Sequence, residues 1–184
     1  MGKILRHSLL TLNGRWKWFA EPYDAYIAAA KTGDWKKLFD AGQSYNCFQA
    51  VFVICCFALR HKAASLKIIE ETLKGAYGDS ETFVLECLGY FKLSDPVAPA
   101  DRIAVGQVVW FAGKTGHDHV VLSLGDGLAA SLWSGPQRNC LQVLPLSILN
   151  EWAEFKLGRE FTLRTSTPVL FDRSSLSEVA KGYK

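Results

Sequence analysis

The sequence predicts an α+β domain, with helices first and a meandering antiparallel sheet second. Three observations carry that prediction. Apolar residues recur at helical spacing through the first half, then in short β-rich runs beyond a linker holding Pro96 and Pro99. Gly125-Asp126-Gly127 separates two such runs and reads as a tight hairpin turn, because glycine accepts positive φ at little cost. The 184 residues are 49% hydrophobic and 21% charged, enough for one ordinary core and incompatible with intrinsic disorder.

Pro22 can open a helix through Tyr26, Ile27 and Ala30 that ends at Gly33. Asp34 reads as the N-cap of a short helix through Trp35 and Leu38. A polar loop from Ala41 to Asn46 leads into an apolar helix from Cys47 to Leu59. Ala63 to Ala76 is the next helix, with Leu66, Ile69 and Leu73 on one face. Ser80 to Leu88 is another. After a linker over Ser94 to Ala104, strands are expected at Gly106–Ala112, His119–Leu124, Leu128–Ser134, Cys140–Leu144 and Phe161–Thr165, with a helix over Pro145–Glu154. Trp16, Trp18 and Trp35 are expected to pack the helical half and Trp110 the sheet. The segment before Pro22 reads as ragged. Residues 1–171 form one domain, and the polar residues 172–184 read as a loose tail.

Several classes are excluded. No apolar run reaches the roughly 18 residues of a membrane span. The net charge is +3 and the basic residues are scattered, so no nucleic-acid stripe stands out. The five cysteines are odd in number and include the adjacent pair Cys55-Cys56, a poor disulfide framework that points to a reducing compartment. The N-terminal residues lack a continuous apolar stretch and a cleavage site. The expectation is synthesis in the cytoplasm without a Sec signal, with export left to a specialised secretion system.

Cys47 is the candidate nucleophile. It stands where a polar loop becomes an apolar helix, and a helix N-terminus offers free N–H groups and partial positive charge to a thiolate or an oxyanion. Cys55 and Cys56 lie deeper in the same helix and read as core. His119, at the entry of a strand, is the candidate base. His7 and His61 read as solvated. His117 and His119 would share a face if the strand already runs there, but no third ligand has metal spacing, so no metal or other cofactor is expected. Ser131, on the return strand, is the candidate to orient the imidazole, with Asp126, Asn139 and Gln137 as polar alternatives. Tyr45, Asn46 and Trp133 are the candidate substrate-binding residues.

Three stretches carry a resemblance: Asn46-Cys47-Phe48-Gln49-Ala50-Val51, Gly106-Gln107-Val108-Val109-Trp110-Phe111, and Gly116-His117-Asp118-His119-Val120-Val121-Leu122-Ser123-Leu124-Gly125-Asp126-Gly127. Together they resemble the NlpC-type branch of the papain-like cysteine hydrolases, over roughly Gln43 to Leu149. The resemblance implies a nucleophile helix packed on an antiparallel sheet, with Cys47 as nucleophile and His119 as general base. The orienting position, commonly His, Asn, Gln or Asp in that family, falls on Ser131, or on Leu132 if the hairpin is one residue longer. The implied activity is amide cleavage in peptidoglycan peptides by an effector toxin, acting as a monomer and open to a neutralising immunity protein. The alternatives are a Cys-His effector acting on a cytosolic protein of a host or rival (a protease, deamidase or acyltransferase), and an inactive binding module of the same fold.

Overall fold

The computed structural model describes residues 2–19, 32, 34–40, 42–75, 80–113 and 116–183. The helix expected from Pro22 falls almost wholly outside them. Seven α-helices and a five-stranded antiparallel sheet are present among the described residues. The helices are α1 (Gly2–Leu12), α2 (Trp35–Leu38), α3 (Cys47–Ala58), α4 (Ala63–Gly75), α5 (Ser80–Cys87), α6 (Leu146–Leu157) and α7 (Arg173–Lys181). The sheet strands are β3 (Val108–Gly113), β4 (Gly116–Gly125), β5 (Leu128–Trp133), β6 (Cys140–Pro145) and β7 (Thr162–Ser166), in the order β6-β5-β4-β3-β7. Two short strands, β1 (Lys17–Trp18) and β2 (Ser44–Tyr45), form a separate parallel pair. No helix among the described residues is long and apolar enough to cross a membrane.

The sheet is covered on both faces, and strand alternation decides which side chain goes where. Val108, Trp110, Val120, Leu122, Leu124, Ala130, Leu132 and Leu141 join one core with α1, α3, α4, α5 and α7. Val109, Phe111, Val121, Ala129, Trp133 and Leu163 join a second core under Leu146, Leu149 and Ala153 of α6. Ten of the twelve residues of α3 are buried, which is why its sequence is apolar all round and not striped. At the hairpin between β4 and β5, Gly125, Asp126 and Gly127 all have positive φ (76°, 54° and 73°). The Arg6 guanidinium reaches across from α1 to donate to Asp126 and to the Leu124 carbonyl.

Three expectations need correction. The segment before Pro22 is not ragged: it forms α1, and Leu5, Leu9 and Leu12 are fully buried at i, i+4 and i+7. Residues after 171 are not a loose tail. Asp172 caps α7 by accepting from the Ser174 N–H, and Leu176 and Ala180 go into the core. Tyr183 meets Phe83 edge-on, with ring centroids 5.3 Å apart. The apolar residues Leu176, Val179, Ala180 and Tyr183 are one helical stripe hidden in a serine-rich stretch. The domain therefore runs past residue 171. Asp34 does precede α2, but its side chain makes no capping bond and pairs with Lys37 at 3.3 Å.

The revised boundary predicts that Leu176→Ala lowers stability by about 2–4 kcal/mol. Urea unfolding followed by tryptophan fluorescence checks this. A wild-type midpoint would return α7 to the status of a dispensable tail.

Candidate active site

The loop before α3 is fixed from both sides. Backbone pairing of Lys17 with Ser44 and Trp18 with Tyr45 holds β2. The Tyr45 ring is buried, edge-on to Trp16 at 5.1 Å, and its hydroxyl donates to the Leu38 carbonyl at 2.7 Å. Asn46 then takes extended backbone geometry and caps the helix. Its side-chain oxygen accepts from the Gln49 N–H at 2.8 Å, and its own N–H donates to the Gln49 side chain at 3.1 Å. Asn46 and Gln49 are the reciprocal pair of a capping box, and they make Cys47 the first helical residue.

Cys47 is 5% exposed. The backbone N–H groups of Val120, Phe48 and Cys47 itself reach its sulfur and favour the thiolate. Burial outweighs them and pushes the thiol up to about 12. Cys47 is therefore a neutral thiol at pH 7.

His119 lies on β4 opposite Phe111 of β3, with its side chain in the second core and only 1% exposed. Its Nε2 is 2.9 Å from the Ser131 hydroxyl. The Trp133 indole stacks on the imidazole, with centroids 4.0 Å apart and planes at 23°. Phe111 packs on it at 5.6 Å. Burial lowers the imidazole to about 3, so the ring is neutral at pH 7. Its Nδ1 is buried with no hydrogen-bond partner among the described residues. Either Nε2 donates to the hydroxyl and leaves the Nδ1 lone pair open, or the hydroxyl donates to Nε2 and Nδ1 carries the unpartnered N–H. Backbone pairing of β4 with β5 starts only at Leu122 opposite Ala130. Upstream of that pair, the His119–Ser131 bond links the two strands.

The structure thus brings Cys47 to the backbone of the residue next to His119, and it brings Ser131 and Trp133 onto the imidazole itself. It does not bring the Cys47 sulfur onto the ring: the Cys47 side chain belongs to the first core with Val120 and Trp110, whereas the imidazole lies with Phe111 and Trp133 in the second, on the opposite face of β4. Tyr45, Asn46 and Trp133, expected to bind substrate, do internal work here: the first anchors the loop, the second caps the helix, and the third is 5% exposed and stacks on the His119 ring. The alternatives to Ser131 are engaged elsewhere. Asp126 holds Arg6 at the far end of β4 and Asn139 accepts from the Trp18 N–H at 2.9 Å, while the backbone N–H of Gln137 donates to the Gln142 side chain, beyond the His119–Ser131 contact. His117 pairs with Ala112 and His119 with Phe111, so the ladder slips by one residue between them. No group of three or more metal-ligating side chains occurs among the described residues. All five cysteines are free thiols, and Cys140 alone is more than marginally exposed.

Two contributors escaped the sequence reading. Gln49 was legible, since an amide three residues after Asn46 at a helix start is the capping-box pattern. Phe111 was not, because its contact with His119 depends on strand register.

No family model, curated protein or solved structure matches the chain.

Proposed function

We propose that this protein is a cysteine hydrolase of papain-like, NlpC-type architecture that cleaves amide bonds through Cys47, His119 and Ser131. One observation carries the reading. The His119 ring is held at Nε2 by Ser131 and left unpartnered at Nδ1, on the strand whose next N–H reaches the Cys47 sulfur. A thiol–imidazole pair needs one nitrogen fixed for orientation and the other open for a proton; here the ring and the thiol sit on opposite faces of β4, so the pair also requires a rearrangement that brings them to one face.

In the reaction, once the two side chains are brought to one face of β4, the Cys47 sulfur attacks the carbonyl carbon as its proton passes to the imidazole of His119. The N–H groups at the start of α3 stabilise the oxyanion. The amide C–N bond breaks as His119 returns the proton to the leaving nitrogen, which departs as the amine. Water, deprotonated by the same imidazole, then hydrolyses the thioester and releases the acid and the free thiol. Cys47 and His119 are both sealed from solvent at rest, so substrate entry must open the site. The substrate class rests on the family resemblance, which points to peptide amides of peptidoglycan and to an effector role. Digestion of purified peptidoglycan, followed by chromatography, tests it. New muropeptides are expected. Their absence at high enzyme concentration, alongside cleavage or deamidation of a cytosolic protein, would move the substrate to the latter class.

The second reading, a binding module that keeps the fold without chemistry, is favoured by the raised thiol and the missing sulfur–imidazole bond. Alkylation measures the resting state directly. Iodoacetamide at pH 7 is expected to modify Cys140 first and Cys47 slowly, because only the thiolate reacts. Adding a cleavable substrate should then change the rate at Cys47. A Cys47 that stays sluggish with every substrate tried, in a protein that cleaves none of them, favours the binding module.

A further inference from the structure

We propose that the junction of β4 and β5 beside His119 is a seam that acid opens: protonation of the imidazole parts the two strands and exposes the Cys47 sulfur. The seam needs no catalytic role for His119, so it stands apart from the hydrolase reading.

The sheet is least tied at this level. Backbone pairing joins β4 to β5 only from Leu122 opposite Ala130 to the hairpin. Nearer the start of β4, side chains bridge the strands. His119 Nε2 is 2.9 Å from the Ser131 hydroxyl, and the Trp133 ring stacks on the imidazole at 4.0 Å. On the other face, the Val120 N–H reaches the Cys47 sulfur. β3 stays paired with β4 through Trp110 opposite Val120 and Phe111 opposite His119, so a parting here falls between β4 and β5.

The bridge suits a neutral ring alone. His119 is 1% exposed, and its Nδ1 has no hydrogen-bond partner among the described residues. A neutral ring leaves one polar atom unpaired. An imidazolium would leave a charged N–H without an acceptor in an apolar enclosure, which costs far more. Once the strands part, water solvates the same cation. Burial accordingly lowers the closed ring to about 3, from 6.5 for a solvated one. The closed seam is fully favoured above that upper value and loses ground about tenfold for each pH unit below it.

No described charge offsets the cation. β3 presents Phe111, β5 presents Ser131 and Trp133, and β7 presents Leu163. β6 sets Cys140 opposite Trp133, and β1 contributes Trp18. α6 presents Leu149 and Ala153; of its carboxylates, Glu151 is exposed and Glu154 accepts from Asn150 at 2.8 Å. The Arg159 guanidinium lies over Phe161, a ring that packs on Phe111 and not on the imidazole. α3 offers only the Cys47 thiol, across β4.

The test labels the full chain with 2,2′-dithiodipyridine between about pH 7 and pH 5. Each thiol attacks the disulfide, gains one pyridylthio group and releases 2-thiopyridone. Peptide mass mapping reads every cysteine, and dividing by the glutathione rate at the same pH removes the reagent's own pH dependence. Relative labelling of Cys47 should rise about 25-fold from pH 7 to pH 5, with the slope of one proton. Cys55, Cys56 and Cys87, all fully buried, should stay protected, and the already accessible Cys140 should change little. His119→Phe fills the ring's place without a titrating group, and His119→Gln keeps a polar atom for Ser131. Both should abolish the rise.

A Cys47 rate that stays flat from pH 7 to pH 5 overturns the proposal. So does a rise shared by Cys55, Cys56 and Cys87, which is acid unfolding of the whole domain, or a rise that persists in either folded variant. Should neither variant fold, the wild-type protein decides alone, by the one-proton slope at Cys47 and the silence of the three buried thiols. Cleavage is not measured, so loss of the hydrolase reading would leave the result standing.

Discussion

Cys47→Ala is expected to leave a folded protein with amide-cleaving activity reduced by about 10⁴-fold or more. The two halves of that expectation have different causes. The sulfur is one atom at the end of α3, and the Asn46–Gln49 capping box that starts the helix does not involve it. Removing it shortens a small side chain at the edge of the core, so circular dichroism and the urea midpoint should stay near wild type. Activity behaves differently, because no other described thiol lies at a helix start beside the Val120 N–H. Cys55, Cys56 and Cys87 are fully buried, and their thiols are raised by burial. Chromatography of digests with purified variant protein checks the prediction. Retained cleavage by a folded Cys47→Ala protein would assign the chemistry to other residues.

The largest effect on stability is expected at Trp110. Its ring is fully buried between α3 and the sheet, 6.1 Å from Phe48 and 5.3 Å from Tyr90. Its Nε1 donates to the Ser166 hydroxyl at 2.8 Å, and that hydroxyl donates onward to the Leu88 carbonyl at 2.6 Å. The relay ties β3, β7 and the end of α5 together. Trp110→Ala removes the ring and should cost about 3–5 kcal/mol. In a chain of this size that lowers the melting midpoint by about 6–20 °C. Trp110→Phe keeps much of the apolar volume, loses the N–H, and should fall between alanine and wild type. Calorimetry distinguishes the three. A Trp110→Ala midpoint within about 2 °C of wild type would contradict the packing described for this side of the sheet.

How far the fold could be read from the sequence depended on how local each signal was. The start of α3 at Cys47, the apolar stripe of α4 and the glycine turn after β4 were legible because a cap, a period and positive-φ residues mark them within a few positions. The helix over residues 173–181 was hidden by composition: serines and charges fill its outer face, and only the spacing of Leu176, Val179, Ala180 and Tyr183 betrays it. α1 was hidden the same way, by the polar residues between Leu5, Leu9 and Leu12. At the site, Cys47, His119 and Ser131 could be singled out because helix start, strand entry and return strand are sequence-level features. Trp133 could be noticed but its contact could not, since stacking depends on the face that strand register assigns. The burial of the Cys47 thiol and the His119 ring on opposite sides of β4 was not legible either. It comes from the closing of two cores over opposite sides of β4, which no local pattern encodes.

The central claim is that the Cys47 sulfur forms an acyl bond with help from His119. Intact-mass spectrometry after acid quench of the protein mixed with peptidoglycan stem peptides tests it most directly. A thioester adduct on Cys47 is expected in the wild-type protein, and it should be absent from Cys47→Ala and strongly reduced in His119→Ala. A wild-type protein that releases cleaved peptide without any adduct at Cys47, or that carries an adduct insensitive to His119→Ala, would contradict it.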